Sequence, residues 1–483
     1  MNGINQKSAP LVEKMAEYLK EGYQPFHMPG HKGSFEILKK WRNLLGEGVF
    51  FWDLTEVEGL DDIHHPTGPI LEAQRLAADL LGAYKAFFLI NGVTAGIHGL
   101  IMALSGSGDK VIMPRHAHRS VYEGIILSGA TPVYLKPEVD VEWGIPTGIG
   151  TDRVEAALNR HPEAKCLVMV HPTYQGLTSD LYAIGHLARA KGIPLVVDEA
   201  HGAHFKFSPR FPLPALQCGA SAVVQGWHKT MGSFTQTGIL LVQDNITGLE
   251  DYLSLIQSTS PSYLLMASLD AARQEWAENG GKLAEKTLDL AWDFRNKVTQ
   301  LEGVLCLDRE NINSSVLTGW DATKILLNAR NLGLNGFELA QELRRKYRIQ
   351  PEMASWEGVL LMVTIGDTKE RMDYLFDSLK DLVSRFSVGM KKLPKVCYDY
   401  EQPEMALLPK DAMKYPKKTV DIKKAEGCVS GEFICPYPPG IPLIVPGEII
   451  TREIIKKVLE IKTNGGHIQG PKDLSVNTLR VID

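Results

Sequence analysis

The sequence predicts an α/β protein built on a mostly parallel sheet with helices on both faces. From about residue 70, short apolar runs alternate with segments of helical length. Strands covered on both faces are continuous apolar runs, and this alternation is typical of parallel sheets. The chain has 483 residues, 44% hydrophobic and 23% charged, a composition typical of globular proteins. That length is sufficient for roughly two or three domains.

The order of elements follows from the same pattern. Strands are predicted at 86–90, 110–113, 131–135, 165–170, 193–197, 221–225 and 238–242. Helices are predicted at 70–82, 94–105, 118–128, 151–160 and 180–191, and 246–300 is mostly helical. The predicted domains are an N-terminal arm and loop at 1–69, a large domain at 70–300, a small α+β domain at 301–390 and a C-terminal domain at 391–483.

Within the small domain, KILLNAR and VLLMVTIG are strand candidates and FELAQELRRKY is a helix candidate. A Lys/Pro-rich linker is predicted around 390–395. Beyond it, the five prolines of EFICPYPPGIPLIVPGEII predict edge or extended structure rather than central strands.

Charge and cysteine usage exclude several classes of function. The formal net charge is -5, so no bulk basic field attracts nucleic acid or anionic membrane. The six cysteines are scattered without a C-x-x-C pair, as in a reduced compartment. Neither an apolar signal segment nor a membrane-length apolar run is visible in the sequence. We therefore expect a soluble cytoplasmic protein that acts on small molecules.

Residues with useful chemistry follow the predicted strands, where ligands bind in open parallel sheets. NGVTAGI (91–97) opens a helix whose free N–H groups suit a phosphate. PRHAHRS, DEAHG and GWHK follow three further strands and contribute His118, Asp198 and Lys229. Each signal alone is equally consistent with a helix cap, a hydrogen-bonded histidine or a surface lysine.

Together, the order of these residues meets the requirements of a pyridoxal phosphate (PLP) site. A lysine forms the Schiff base, and an acid keeps the pyridine nitrogen protonated, which makes the ring an electron sink. The DEAH string also matches a helicase magnesium box, but no G-x-x-x-x-G-K-[ST] loop accompanies it. The 14 histidines lack the spacing of metal ligands, so no metal site is expected.

The chain resembles the ornithine/lysine/arginine decarboxylases, and more narrowly their short Gram-positive form. The segments that carry the resemblance cover nearly the whole chain: HMPGHKG (27–33), LDDIHHPTGPI (60–70), NGVTAGI, PRHAHRS, HPTY (171–174), DEAHGAHF (198–205), HKTMGSFTQT (228–237) and YPPGIPLIVPGE (437–448). The resemblance implies the fold-type-I PLP architecture, with 70–300 as the cofactor-binding domain. It also implies decarboxylation of a basic amino acid to an amine that feeds polyamine synthesis.

The resemblance also implies roles for individual residues. Lys229 would be the Schiff-base lysine, Asp198 the partner of the pyridine nitrogen, and His118 the ring stacked on the cofactor. The remaining implied cofactor contacts are Ala200 on the opposite ring face, His228 beside the phosphate and imine, and Thr94 with the Ala95 amide on the phosphate. The segment 260–270 would reach the neighbouring subunit's cofactor, which implies a homodimer.

Two positions depart from the family pattern. Val93 stands where a hydroxyl residue is usual, and Gly226 stands where a serine is common, so weaker PLP retention is expected. Substrate choice stays open among arginine, lysine and ornithine, with arginine favoured. Four acidic residues in motif-rich segments are candidates for binding the substrate's distal cation, and they are equally consistent with caps or surface charges: Asp61, Asp62, Glu432 and Glu448. Another reaction on the same fold, aminotransfer or aldol cleavage, is the alternative.

Overall fold

The computed structural model describes residues 5–33, 39–46, 48–386 and 402–483, together with 389, 393 and 400. Its helices are α1 (Pro10–Glu21), α2 (Lys39–Leu45), α3 (Gly48–Trp52), α4 (Pro69–Leu81), α5 (Gly92–Leu104), α6 (Arg119–Ser128), α7 (Thr151–Arg160), α8 (Leu181–Ala190), α9 (Trp227–Thr230), α10 (Leu249–Ile256), α11 (Tyr263–Val298), α12 (Gly336–Tyr347), α13 (Lys369–Arg385), α14 (Pro409–Ala412) and α15 (Arg452–Thr463).

The strands include the seven predicted for the large domain. They are β1 (Lys85–Leu89), β2 (Lys110–Pro114), β3 (Thr131–Leu135), β4 (Glu138–Asp140), β5 (Ile145–Gly148), β6 (Cys166–Val170), β7 (Leu177–Thr178), β8 (Leu195–Asp198), β9 (Ala222–Gln225), β10 (Gly238–Val242), β11 (Leu305–Cys306), β12 (Gly319–Trp320), β13 (Lys324–Asn328), β14 (Met353–Ala354), β15 (Val359–Met362), β16 (Lys417–Asp421), β17 (Cys435–Pro436), β18 (Ile468–Gln469) and β19 (Thr478–Ile482).

A seven-stranded sheet forms the centre of the large domain, in the order β1-β10-β9-β8-β6-β2-β3. The neighbours from β9 to β3 are parallel, whereas β10 is antiparallel to both β1 and β9. The prediction of a mostly parallel α/β sheet is therefore confirmed. Because the parallel strands run the same way, their carboxyl ends meet at one edge of the sheet.

Both faces of this sheet are buried, which explains the continuous apolar runs. Successive side chains alternate between faces, so Val223 joins one core cluster and Val224 the other. Helices α4, α7, α8 and α11 cover the first face, and α5, α6 and α10 cover the second. Helices therefore pack on both faces of the strands whose ends carry the candidate residues.

A smaller antiparallel sheet, β11-β13-β15-β14, packs with α12, α13 and the end of α11 around its own apolar core. The C-terminal part contains the pairs β16-β19 and β17-β18 and packs around α15. The Pro-rich segment contributes the two-residue β17 and isolated bridges at Ile434, Ile444, Glu448 and Ile449. The linker predicted at 390–395 lies, apart from Leu393, outside the described residues, as does Cys397.

The five described cysteines are free thiols. Among the described residues, none of the helices combines the length and apolar composition that crossing a bilayer requires. The same residues contain no group of three His, Cys, Asp or Glu side chains placed to hold a metal ion.

Candidate active site

The carboxyl edge of the large sheet opens into a cavity of about 520 Å³. Most of the sequence-predicted residues line it: Thr94, His118, Asp198, Ala200, His228 and Lys229. The small domain contributes Glu352 and Met362, and the C-terminal segment contributes Tyr437, Pro439 and Ile441. The cavity therefore lies where three parts of the chain meet.

Lys229 is held by the one-turn helix α9, directly after β9. The preceding Trp227 anchors this helix, because its ring is fully buried and its Nε1 donates to Gln225 Oε1 at 3.1 Å. The Lys229 Nζ lies 2.9 Å from His201 Nε2. Burial lowers the pKa of Lys229, while the carboxylates of Asp198 and Glu352 oppose this shift. Such a lysine is more readily deprotonated than an exposed one.

Asp198 is the last residue of β8 and is 6% exposed. Its Oδ1 accepts a hydrogen bond from the Ala200 backbone N–H at 3.1 Å, which fixes the orientation of the carboxylate. Its charge raises the pKa values of both His118 and Lys229, so the carboxylate is close to each. Asp198 is thus a buried carboxyl group near both His118 and Lys229.

His118 is the N-cap residue of α6, and its Nδ1 accepts from the Ser120 N–H at 3.2 Å. The ring faces the open space of the cavity, and the surrounding protein lowers its pKa by burial. Gly440 lies against this ring, since a Cβ at that position would be 3.1 Å from His118 Nε2. The Pro-rich segment thus closes over the histidine at a glycine.

The predicted phosphate cradle is the start of α5. Gly92 has φ +78°, a conformation that favours glycine, and the N-cap Asn91 makes no side-chain capping bond. Thr94 lines the cavity, whereas the Ala95 side chain is buried, so Ala95 has only its backbone to offer a ligand. Val93 also lines the cavity.

His228 and Gly226 flank the lysine. His228 Nδ1 lies 2.6 Å from the Thr237 carbonyl oxygen and so donates to it, and burial lowers its pKa. A Cβ at Gly226 would lie 2.8 Å from the Ala200 carbonyl oxygen. The backbone here is therefore too close for a serine without a shift, which gives a physical reason for the glycine.

Sequence reasoning missed four polar residues at the site. His201 lies between Lys229 and Lys324, and the Tyr174 hydroxyl donates to the Glu352 carboxylate. His201 and Tyr174 lie inside the motifs DEAHGAHF and HPTY, which were a usable signal. Lys324 and Glu352 come from the small domain and carry no local motif.

The four acidic residues expected near the substrate's distal cation have other partners. Asp61 accepts from the N–H groups of Thr67, Gly68 and Ile70 and so caps the start of α4, while Asp62 accepts from the His64 N–H. Glu432 accepts from the N–H groups of Lys472 and Arg480, and Glu448 pairs with Arg115. Within the described part of the chain, none of the four lines the cavity. Asp61, Glu432 and Glu448 thus have structural roles, since backbone or arginine donors bind their carboxylates.

The mostly parallel seven-stranded sheet with helices on both faces is the fold-type-I architecture. Residues 9–371 match the family model described as Orn/Lys/Arg decarboxylase, major domain, and 391–466 match the C-terminal domain of the same family. The chain belongs to the Orn/Lys/Arg decarboxylase family. It is a decarboxylase, as the sequence predicted.

Similar proteins support this assignment. The arginine decarboxylase of Halalkalibacterium halodurans is 38% identical, covering 99% of this chain and 98% of that protein. The arginine decarboxylase of Bacillus subtilis is 37% identical, covering 99% of both. The crystal structure of the Francisella novicida lysine decarboxylase LdcF has a TM-score of 0.82 at 21% identity, covering 99% of this chain and 81% of that one. This last likeness confirms the fold.

Proposed function

We propose that the protein is a PLP-dependent decarboxylase that converts arginine, in preference to lysine or ornithine, to the corresponding amine and carbon dioxide. The observation that carries the proposal is the convergence of Lys229, Asp198 and His118 on one cavity at the sheet edge. The preference for arginine rests on the names of the two Bacillus-type relatives, which match over the full chain. The amine would enter polyamine synthesis.

The chemistry of the donor set fits PLP. Lys229 supplies an amine for an aldehyde, and Asp198 supplies a buried carboxylate for a pyridine nitrogen. The start of α5 offers uncapped N–H groups and the Thr94 hydroxyl for a phosphate, and its helix dipole favours an anion. His118 and Ala200 would pack on the two faces of the ring. A cavity of about 520 Å³ has room for such a molecule.

When bound, the cofactor supplies an electron sink for the electron pair left by the departing carboxylate. The chain's own residues then have distinct tasks. The Asp198 carboxylate would stabilise the protonated pyridine nitrogen, and it is already in position, so it need not reorganise during the reaction. His228 and Lys229 are the groups placed to return a proton to the substrate Cα. The net change exchanges the carboxylate for a hydrogen and releases carbon dioxide.

A homodimer is part of the proposal, with segment 260–270 reaching the partner's site. Its support is an exposed apolar surface in the N-terminal arm, where Phe26 is 95% exposed and Leu44 is 77% exposed. Exposed apolar side chains that cluster on one segment are typical of interfaces. Light scattering on the purified chain would test this, and a monomer at micromolar concentration would contradict it. We also propose a cytoplasmic location and four domains, at residues 1–69, 70–300, 301–390 and 391–483.

The activity is tested by incubating the purified protein and PLP separately with arginine, lysine and ornithine. Mass spectrometry identifies each amine, and carboxyl-labelled substrate reports the carbon dioxide. We expect arginine to be converted fastest and Lys229→Ala to be inactive. Faster conversion of lysine or ornithine would refute the substrate assignment, and negligible amine from all three would refute the proposed activity.

A further inference from the structure

His201 lies between the amino groups of two lysines. Its Nε2 is 2.9 Å from Lys229 Nζ, and its Nδ1 is 2.8 Å from Lys324 Nζ. His201 is 7% exposed and Lys324 is fully buried at the start of β13. The imidazole therefore joins the lysine of the large domain to a second lysine from the small domain.

Hydrogen-bond chemistry restricts the charges of this group. A neutral imidazole has one N–H donor and one acceptor nitrogen, whereas an ammonium group has donors only. Burial and both lysines lower the pKa of His201 well below its usual value, so the ring is neutral. The nitrogen that carries the ring hydrogen faces a lysine Nζ. That lysine must be an uncharged amine with a free lone pair.

We propose that Lys324 is a positioning residue that, through His201, shares one ammonium proton with Lys229, so that Lys229 is an uncharged amine for part of the time at neutral pH. The exchange is balanced: a Lys229 ammonium hydrogen moves to His201 Nε2 while the Nδ1 hydrogen moves to Lys324. The total charge is unchanged, and Lys229 gains the lone pair that attack on an aldehyde requires. The inference rests on the proposed function, in which Lys229 binds the cofactor.

The surrounding charges are consistent with a shared proton. Three titratable groups face Lys229: Asp198, Glu352 and His118. Asp321 and Glu352 face Lys324. His201 is faced by His118, His228 and the ring of Tyr174. Burial lowers the pKa of Lys324 to about 8, with Asp321 opposing and Lys229 adding to the shift. Repulsion between two amines is mutual, so a second proton on the pair is disfavoured.

The test measures the pH dependence of Lys229 acetylation, on the full chain without added cofactor. Acetic anhydride is applied at a series of pH values, and the labelled fraction of the Lys229 peptide is read by mass spectrometry. In the wild-type chain we expect a labelling midpoint at least about one pH unit below that of an ordinary lysine. The exposed Lys282 of α11 gives the internal comparison.

Lys324→Met is expected to move the Lys229 midpoint about one pH unit towards alkaline, with labelling about tenfold slower at neutral pH. The reason is that Lys229 then holds the proton alone, without repulsion from a second amine. Lys282→Met is the matched control and should leave the Lys229 midpoint unchanged. Lys324→Gln, which can still hydrogen-bond to His201, replaces the methionine variant if that variant does not fold.

Two results would overturn the inference: a wild-type midpoint equal to that of Lys282, or an unchanged Lys229 midpoint in the folded Lys324 variants. Failure of the proposed function gives a different result. If borohydride traps no cofactor on Lys229 of the wild-type chain, the cofactor assignment fails whatever the pH profile. If the adduct forms but the profile does not respond to Lys324, only the shared proton is refuted.

Discussion

Glu448→Gln is expected to destabilise the protein rather than change its substrate, because Glu448 belongs to a buried ion pair. Arg115 Nη2 lies 3.1 Å from Glu448 Oε2, and the side chains are 2% and 0% exposed. Arg115 also donates to the carbonyl oxygens of Pro442 at 3.3 Å and Leu443 at 3.0 Å. The pair therefore ties the Pro-rich segment to the end of β2.

The magnitude follows from these contacts. A hydrogen bond to a charged group contributes about 1.5–3 kcal/mol. Removing one charge of a buried pair costs about 3–5 kcal/mol, because the remaining ion stays unpaired. Glutamine keeps the shape of the glutamate side chain and one acceptor oxygen, so the free energy of unfolding should fall by about 3 kcal/mol. Changing both residues to methionine should recover only part of it, since the two carbonyl groups would then lack a donor.

Urea unfolding followed by fluorescence measures this loss, and steady-state kinetics measures KM for the three basic amino acids. Glu155→Gln on the exposed face of α7 is the matched control, expected to change stability by less than about 0.5 kcal/mol. A Glu448→Gln protein as stable as the wild type, but with a raised KM for one substrate, would refute the reasoning. Glu448 would then be a substrate-binding residue.

Three further outcomes are expected. Asp198→Ala should lower turnover by orders of magnitude while the absorbance of bound PLP persists, and full activity would exclude the electron-sink role. Val93→Ser should tighten PLP binding about 10- to 100-fold by adding a hydrogen bond to a charged group. Gly226→Ser should not tighten it, because the new Cβ would meet the Ala200 carbonyl oxygen. Equilibrium PLP binding to each variant distinguishes these outcomes. Burial raises the pKa of Glu199 to about 8, so the free energy of unfolding should fall as the pH rises from about 4.3 to 8. Glu199→Gln should flatten this dependence of the unfolding free energy on pH, as measured by urea unfolding. An unchanged dependence would contradict the role of Glu199.

The strands and the residues that follow them could be predicted because both depend on local pattern. Apolar runs such as Val223–Val224 are buried on alternate faces, and parallel strands bring Asp198 and His118 to one edge. The direction of β10 could not be predicted, because the apolar run GILLV fits a buried strand of either direction.

The contributions of the small domain could not be predicted either. Glu352 lines the cavity and Lys324 contacts His201 through packing between parts of the chain that lie more than a hundred residues apart. Two of the acidic candidates, Asp61 and Glu448, lie in motif-rich segments but serve a helix start and an ion pair. Sequence alone does not distinguish a carboxylate that binds substrate from one already satisfied by backbone donors.

The central claim is that the ε-amine of Lys229 captures the aldehyde of PLP. Borohydride reduction of the protein after incubation with PLP, followed by peptide mass mapping, tests it directly. The account predicts a single stable adduct on the peptide that contains Lys229, absent from Lys229→Ala. An unmodified chain, or an adduct on another lysine alone, would contradict it.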